Sequence, residues 1–226
     1  MDWVWQNFSE IWGYTLDHIG LSVPPIIIGF VLSIPLGYWA SKNRVARSTL
    51  LGIFSVLYTI PSLVLFVTVP IALGLAILDP NNVIVALTIY AVAIMLRSAN
   101  DGFSAVSEDV RESARAIGYG PVRRFFAVEL PLAGPVLLAG IRVVSVSTVS
   151  LATVGGFIGI PSLGNLLREG FQLSFLPEIL TGIVAVLIVA AVFDLLLSLI
   201  GRILLPWNRR PSRRKAARIV MAGANT

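Results

Sequence analysis

The chain has 226 residues, 56% of them hydrophobic and 13% charged, with a mean hydropathy of +0.86; such a composition excludes a soluble domain and indicates an integral membrane protein. It contains no cysteine and one histidine, His18, which excludes a disulfide framework, a thiolate metal site and a histidine-cluster zinc site. The net charge of +5 could serve nucleic acid, but the basic residues lie beside apolar stretches, where they set membrane orientation, so no nucleic-acid partner is expected.

Residues 1–17 hold Trp3, Trp5, Phe8, Trp12 and Tyr14 with three acids and no Lys or Arg. Aromatic residues of this kind favour the headgroup layer, so a short interfacial helix is expected, within an N-terminal segment 1–19. Residues 20–40 are apolar over the roughly 20 residues that a spanning helix needs. In this first span Gly29, Ser33 and Gly37 form a small-xxx-small stripe, a surface for close helix contact. The second span, residues 49–71, carries Pro61 near its middle and Pro70 near its end, and a kink is expected there because proline has no N–H and its ring obstructs the preceding turn. Asp79-Pro80-Asn81-Asn82 is a turn signal, and a third span covers residues 83–96.

Residues 101–131 are too polar to span and too patterned for a slack loop. Val106, Val110, Ala114 and Ile117 share one helical face, and Glu108, Arg111, Glu112 and Arg115 share the other. Gly118 stops that helix, and Pro121 opens a second short one over residues 122–130, ending at Pro131. By pattern alone this stretch is either a connector between spans or a platform for docking another protein.

A fourth span, residues 133–156, is the least uniform, with Arg142, Ser147, Ser150 and Thr153. The hydroxyls either bond back to their own helix or line a pathway. An Arg near a helix centre costs roughly 2.5–3.5 kcal/mol on insertion scales, so Arg142 needs a cavity, a carboxylate or a route to the surface. Residues 157–177 read as a loop or re-entrant piece, and residues 178–200 as a fifth span. Asp194 within it is the candidate partner of Arg142, or else a snorkelling carboxylate.

The expected fold is therefore all-α and integral to the membrane, with about five transmembrane helices in a domain over residues 20–200. All of the 17 Lys and Arg except Arg142 and Arg168 fall on one face, which makes that face cytoplasmic, the N-terminus external and the C-terminus cytoplasmic. The basic tail, residues 201–226, is expected to hold anionic membrane lipid. No G-x4-G-K-[ST] motif is present, so no ATP hydrolysis by this chain is expected.

Glu112-Ser113-Ala114, three residues, Gly118, nine residues, Val128-Glu129-Leu130-Pro131 resembles the EAA loop of importer permeases of the ATP-binding cassette superfamily, E-A-A-x3-G-x9-I-x-L-P. Ser113 stands where the motif has its first Ala, and Val128 where it has Ile. His18-Ile19, Ser33-Ile34-Pro35-Leu36-Gly37, Thr59-Ile60-Pro61-Ser62-Leu63, Gly140-Ile141-Arg142 and Phe157-Ile158-Gly159 are similar to the osmoprotectant branch, which handles glycine betaine, choline or carnitine. The resemblance implies a type I importer permease fold in a bacterial or archaeal cytoplasmic membrane. It implies ATPase subunits docked on Glu112, Ser113, Ala114, Gly118, Leu130 and Pro131, with ATP and Mg on those subunits and no cofactor in this chain. It also implies a second permease chain and an extracytoplasmic substrate-binding protein. Candidate pathway groups are Pro61, Arg142, Ser147, Ser150, Thr153 and Asp194. The rival reading is an ion-coupled secondary transporter or channel subunit, with Arg142 and Asp194 as its membrane charges. A membrane-embedded hydrolase would need a base for its serines, and His18 sits at the outer edge.

Overall fold

The computed structural model describes residues 2–74, 76 and 78–208; the expectation for most of the basic tail, residues 209–226, lies outside them. After a short helix α1 (Asp2–Gln6), α2 runs unbroken from Phe8–Lys42. At about 1.5 Å rise per residue it exceeds the roughly 30 Å hydrocarbon core. The expected separate interfacial helix over residues 1–17 is thus mostly the first turns of α2. Nothing between Phe8 and Gly20 breaks a helix strongly enough to separate the two, and Ile11 is held in a core cluster with Val149, Leu163, Leu166 and Val189.

The second span is broken rather than kinked. Helices α3 (Arg44–Thr59) and α4 (Ser62–Leu73) meet at 107°. Pro61 supplies no N–H and drives Ile60 to an extended conformation, φ −67°, ψ 128°. The hydroxyl of Tyr90 donates to the Ile60 carbonyl freed at the break. Asn43 starts α3, its Oδ1 accepting from the N–H groups of Val45 at 2.9 Å and Ala46 at 3.2 Å.

Helix α5 (Pro80–Ser104) begins on the expected turn, with Asp79 as its cap and Pro80 in the first turn. The polar segment between the spans follows as α6 (Glu108–Ala116) and α7 (Pro121–Arg124). A widened π turn, Phe125–Glu129, leads directly into α8 (Leu130–Phe157). The expected stop at Pro131 does not occur. A proline clashes with the carbonyl four residues earlier in a regular helix, and the wider turn relieves this: the Leu130 N–H bonds to the Phe125 carbonyl five residues back. Residues 157–177 contain α9 (Gly164–Gln172), and α10 (Leu176–Leu204) closes the fold.

Among the described residues, Phe8–Lys42, Pro80–Ser104, Pro121–Phe157 and Leu176–Leu204 are long and apolar enough to cross a membrane, and the bent α3–α4 pair adds a fifth span if counted as one. Helix α5 lies at the centre, with Ala86, Leu87, Met95, Leu96, Ala99 and Phe103 fully buried. The small-residue stripe of α2 lies against it. A Cβ added at Gly29 would stand 2.5 Å from the Ala91 Cβ, and one at Gly37 would stand 2.9 Å from the Asn100 backbone nitrogen. Glycine at these two positions is what lets the backbones approach.

Candidate functional site

The polar segment of α6 and α7 joins the end of α5 to the start of α8. Helix α6 ends in a Schellman turn: the Gly118 N–H bonds to the Arg115 carbonyl at 2.9 Å and the Tyr119 N–H to the Ala114 carbonyl at 3.0 Å. Gly118 adopts φ +86°, a left-handed conformation that costs other residues strain. A Cβ there would meet nothing within 4 Å, so within this chain the glycine is required by backbone conformation, not by a close neighbour.

Glu112 and Ser113 are exposed on α6, Ala114 is buried, and Leu130 and Pro131 lie half-buried in the first turn of α8. The expected two faces of α6 are rotated. Arg111, assigned to the polar side, is 8% exposed, while Ile117, assigned to the apolar side, is 71% exposed. Val122 and Phe126 are exposed as well. The platform therefore presents apolar side chains outward together with Glu112, a combination suited to protein contact.

The rotation has an electrostatic cause. Glu129, at an unspecified position of the motif, is fully buried and collects four donors. Its Oε2 accepts from Lys42 Nζ at 2.9 Å and Arg111 Nε at 3.0 Å. Its Oε1 accepts from Arg124 Nε at 2.9 Å and the Tyr38 hydroxyl at 3.2 Å. Four donors match the roughly four lone-pair sites of an ionised carboxylate. Arg111 is pinned further by the Phe103 carbonyl at 2.7 Å and by Glu108 at 3.0 Å. That hydrogen bond holds the Glu108 carboxyl below its ordinary range. Tyr38 packs edge-on to Phe103 and Phe125 beneath the cluster. A sequence signal existed: Glu129 is the one acid in the apolar run that follows Arg124, and a carboxylate there requires partners.

The candidate pathway residues do not converge. Arg142 and Asp194 form a two-pronged ion pair between α8 and α10, with Nε to Oδ1 at 2.7 Å and the second prong at 2.8 Å; the ion-pair alternative holds over snorkelling alone. Thr153 donates to the Ser150 carbonyl of its own helix at 2.7 Å. Ser147 is half-buried and Ser150 is exposed, on the stripe of α8 that also exposes Val136, Val143 and Val146. Pro61 is exposed at the α3–α4 break. His18 is buried, its Nε2 bonded to the Val149 carbonyl at 3.0 Å, so it joins α2 to α8 and serves no serine. Among the described residues no group of three His, Cys, Asp or Glu is placed to hold a metal ion.

These features define an all-helical, multi-pass membrane protein whose polar platform is built into its helical bundle. Residues 29–210 match the family model described as the inner membrane component of binding-protein-dependent transport systems, and the chain belongs to that family. It is a membrane permease component, located in the cytoplasmic membrane. Membership implies work alongside an ATPase and a substrate-binding protein.

Among relatives, the chain is 35% identical over 203 residues to the choline transport system permease protein OpuBB of Bacillus subtilis (strain 168), covering 88% of this chain and 91% of that protein. It is 30% identical to the glycine betaine/carnitine/choline transport system permease protein OpuCB of the same organism, covering 91% and 94%. The carnitine transport permease protein OpuCB of Listeria monocytogenes is 31% identical, covering 92% and 94%. In fold, the chain is similar to the MetNI methionine ABC transporter in an inward-facing conformation, with TM-score 0.70, 21% identity and coverage of 88% and 96%. An amino acid ABC transporter solved with histidines gives TM-score 0.71 at 16% identity, covering 87% and 95%. The fold is that of a type I importer permease.

Proposed function

We propose that this chain is the permease subunit of an ATP-driven importer for a quaternary-amine osmoprotectant of the glycine betaine, choline or carnitine class. The single observation that carries the coupling half of this reading is the geometry of the platform: the matched Glu112 and Ser113 are exposed on a helix that a left-handed Gly118 ends. The substrate half rests on the relatives that carry choline, carnitine and glycine betaine in their names.

In this reading a separate ATPase subunit binds ATP and Mg and docks on the platform through Glu112, Ser113, Ala114, Gly118, Leu130 and Pro131. Exposed Ile117 and Val122 add apolar contact area to that docking. Lys42, Arg44, Arg47 and the platform arginines share one end of the bundle, which supports a cytoplasmic platform and an external N-terminus. A second permease chain completes a pathway along the exposed stripe of α8 at Ser150. ATP binding draws the ATPases together, the platforms follow, and the spans switch between inward- and outward-open states. A binding protein delivers substrate from outside, and the basic tail rests on anionic lipid.

The test is uptake of radiolabelled choline by proteoliposomes holding this chain, its ATPase and its binding protein. Uptake that requires ATP and survives collapse of the ion gradients is expected. Uptake driven by an ion gradient without ATP would overturn the ATP-driven reading in favour of ion coupling.

A further inference from the structure

We propose that Glu129 is the joint through which motion of the docking platform enters the first span, acting as a positioning residue that touches neither nucleotide nor substrate. This rests on the proposed docking of an ATPase on α6.

Two routes lead from α6 into the spans. One is the backbone, which passes through Ala105–Ser107 to α5 and through Ile117–Gly120 to α7, both irregular and the second containing the left-handed Gly118. Irregular joints of this kind absorb dihedral change and transmit displacement poorly. Neither reaches α2 directly, because α2 is remote in sequence from α6. The other route is through side chains, and one branch of it, from Arg111 to the Phe103 carbonyl, reaches α5 alone. Arg111 of α6 bonds Glu129, and Glu129 bonds Lys42 and Tyr38 near the C-terminal end of α2, 87 and 91 residues away in sequence. Arg124 of α7 closes the same carboxylate. Among the described residues, Glu129 is the one side chain bonded to α2, α6 and α7 together.

The joint is stiff for physical reasons. The carboxylate is wholly buried, and charge-assisted hydrogen bonds are stronger and shorter than neutral ones and hold their geometry away from water. Displacing α6 without α2 would strand Lys42 or Arg111 from its carboxylate, so the two elements move as a unit. Helix α2 in turn lies backbone-close against α5 at Gly29 and Gly37, so displacement of its end carries into the centre of the bundle. A purely structural Glu129 would hold the platform in place but would not make the response of α2 depend on Lys42.

The experiment is hydrogen–deuterium exchange on the complex of this chain with its ATPase, in lipid nanodiscs, with and without a non-hydrolysable ATP analogue and Mg. Two regions are read, residues 105–120 of the platform and residues 36–44 at the end of α2. In the wild type both are expected to change with nucleotide. In Lys42→Met, which removes the charged α2 donor and leaves Glu129 paired to both arginines and, more weakly, to Tyr38 at 3.2 Å, the platform change persists while the α2 change falls about threefold, a typical effect of breaking one contact on a coupling path. Glu129→Gln lowers it further, and Lys42→Arg restores it. An undiminished α2 change in both Lys42→Met and Glu129→Gln would overturn the joint. Loss of protection throughout the spans in both variants would also overturn it, reducing Glu129 to a folding residue. No nucleotide response of the wild-type platform would instead overturn the docking reading on which the joint depends.

Discussion

Gly29→Ala tests one of the close approaches between α2 and α5. The new methyl would stand 2.5 Å from the Ala91 Cβ, with the Ala91 carbonyl carbon at 3.2 Å and Cα at 3.4 Å. Ordinary carbon contacts lie at about 3.5–4.0 Å, so α2 and α5 must separate by roughly an ångström at this level. Overpacking of this kind costs about 1–3 kcal/mol. The better helix propensity of Ala offsets about 0.8–1.0 kcal/mol, leaving a net loss of about 0–2 kcal/mol. Ala91→Gly alone forfeits a buried methyl, about 0.8 kcal/mol, and a similar amount of propensity. The double variant Gly29→Ala/Ala91→Gly exchanges the methyl between helices and removes the 2.5 Å contact. It is therefore expected to be more stable than the sum of the singles by at least about 1 kcal/mol. Denaturant unfolding of the purified chain in mixed detergent micelles reads all four states of the cycle. A double variant that is merely additive would refute the claim that backbone approach at Gly29 holds α2 to α5.

Gly118→Trp and Glu112→Arg should each abolish co-purification of the ATPase while the helical circular dichroism of the chain is unchanged; retained association of both would sink the docking role of the platform. Gly118→Ala keeps open space around the side chain but forces a left-handed Ala, which should loosen the end of α6 by about 1–2 kcal/mol, read as faster amide exchange over residues 114–120. Asp194→Asn should lower the thermal midpoint by about 2–4 °C, the effect of ~1 kcal/mol for a partly exposed pair in a chain of this size. The reversed pair Arg142→Asp/Asp194→Arg should recover most of that loss, and no recovery would mean that the two side chains contribute separately. Asn43→Ala removes the cap of α3 and should cost about 1 kcal/mol, visible as faster exchange of the Val45 and Ala46 amides.

Local rules made several parts of the fold legible in advance. Hydropathy located the spans because a membrane helix must be apolar over most of its length. The Gly29, Ser33 and Gly37 spacing identified the contact face of α2, since small residues at helical period have few other uses in lipid. The Gly118 stop was legible because a Schellman turn needs a residue tolerant of positive φ. Cost makes Asp194 a candidate partner of Arg142, as an isolated charge between spans is unfavourable, but leaves a snorkelling carboxylate open, and the structure decides for the pair.

The errors came where a partner distant in sequence outweighed the local pattern. Pro131 was read as a stop because proline ends regular helices, yet a π turn carries the chain through it. Pro61 was read as a kink, but the hydroxyl of Tyr90 on α5 meets the freed carbonyl of Ile60, and the helix parts fully. The pattern of α6 places Arg111 on its polar face, and nothing local gives Glu129 a role. Neither position contains any information about Lys42 and Tyr38, which meet them only after the chain has crossed the membrane and returned.

Sequence by itself determined the class of protein, the approximate spans and the platform motif, because each depends on composition or on spacing within a few turns of helix. Tertiary structure alone decided which face of α6 turns inward and which acid ties the platform to the first span. The reason is that burying a carboxylate is tolerable only when its donors arrive together, and those donors come from three helices that no local pattern brings into register.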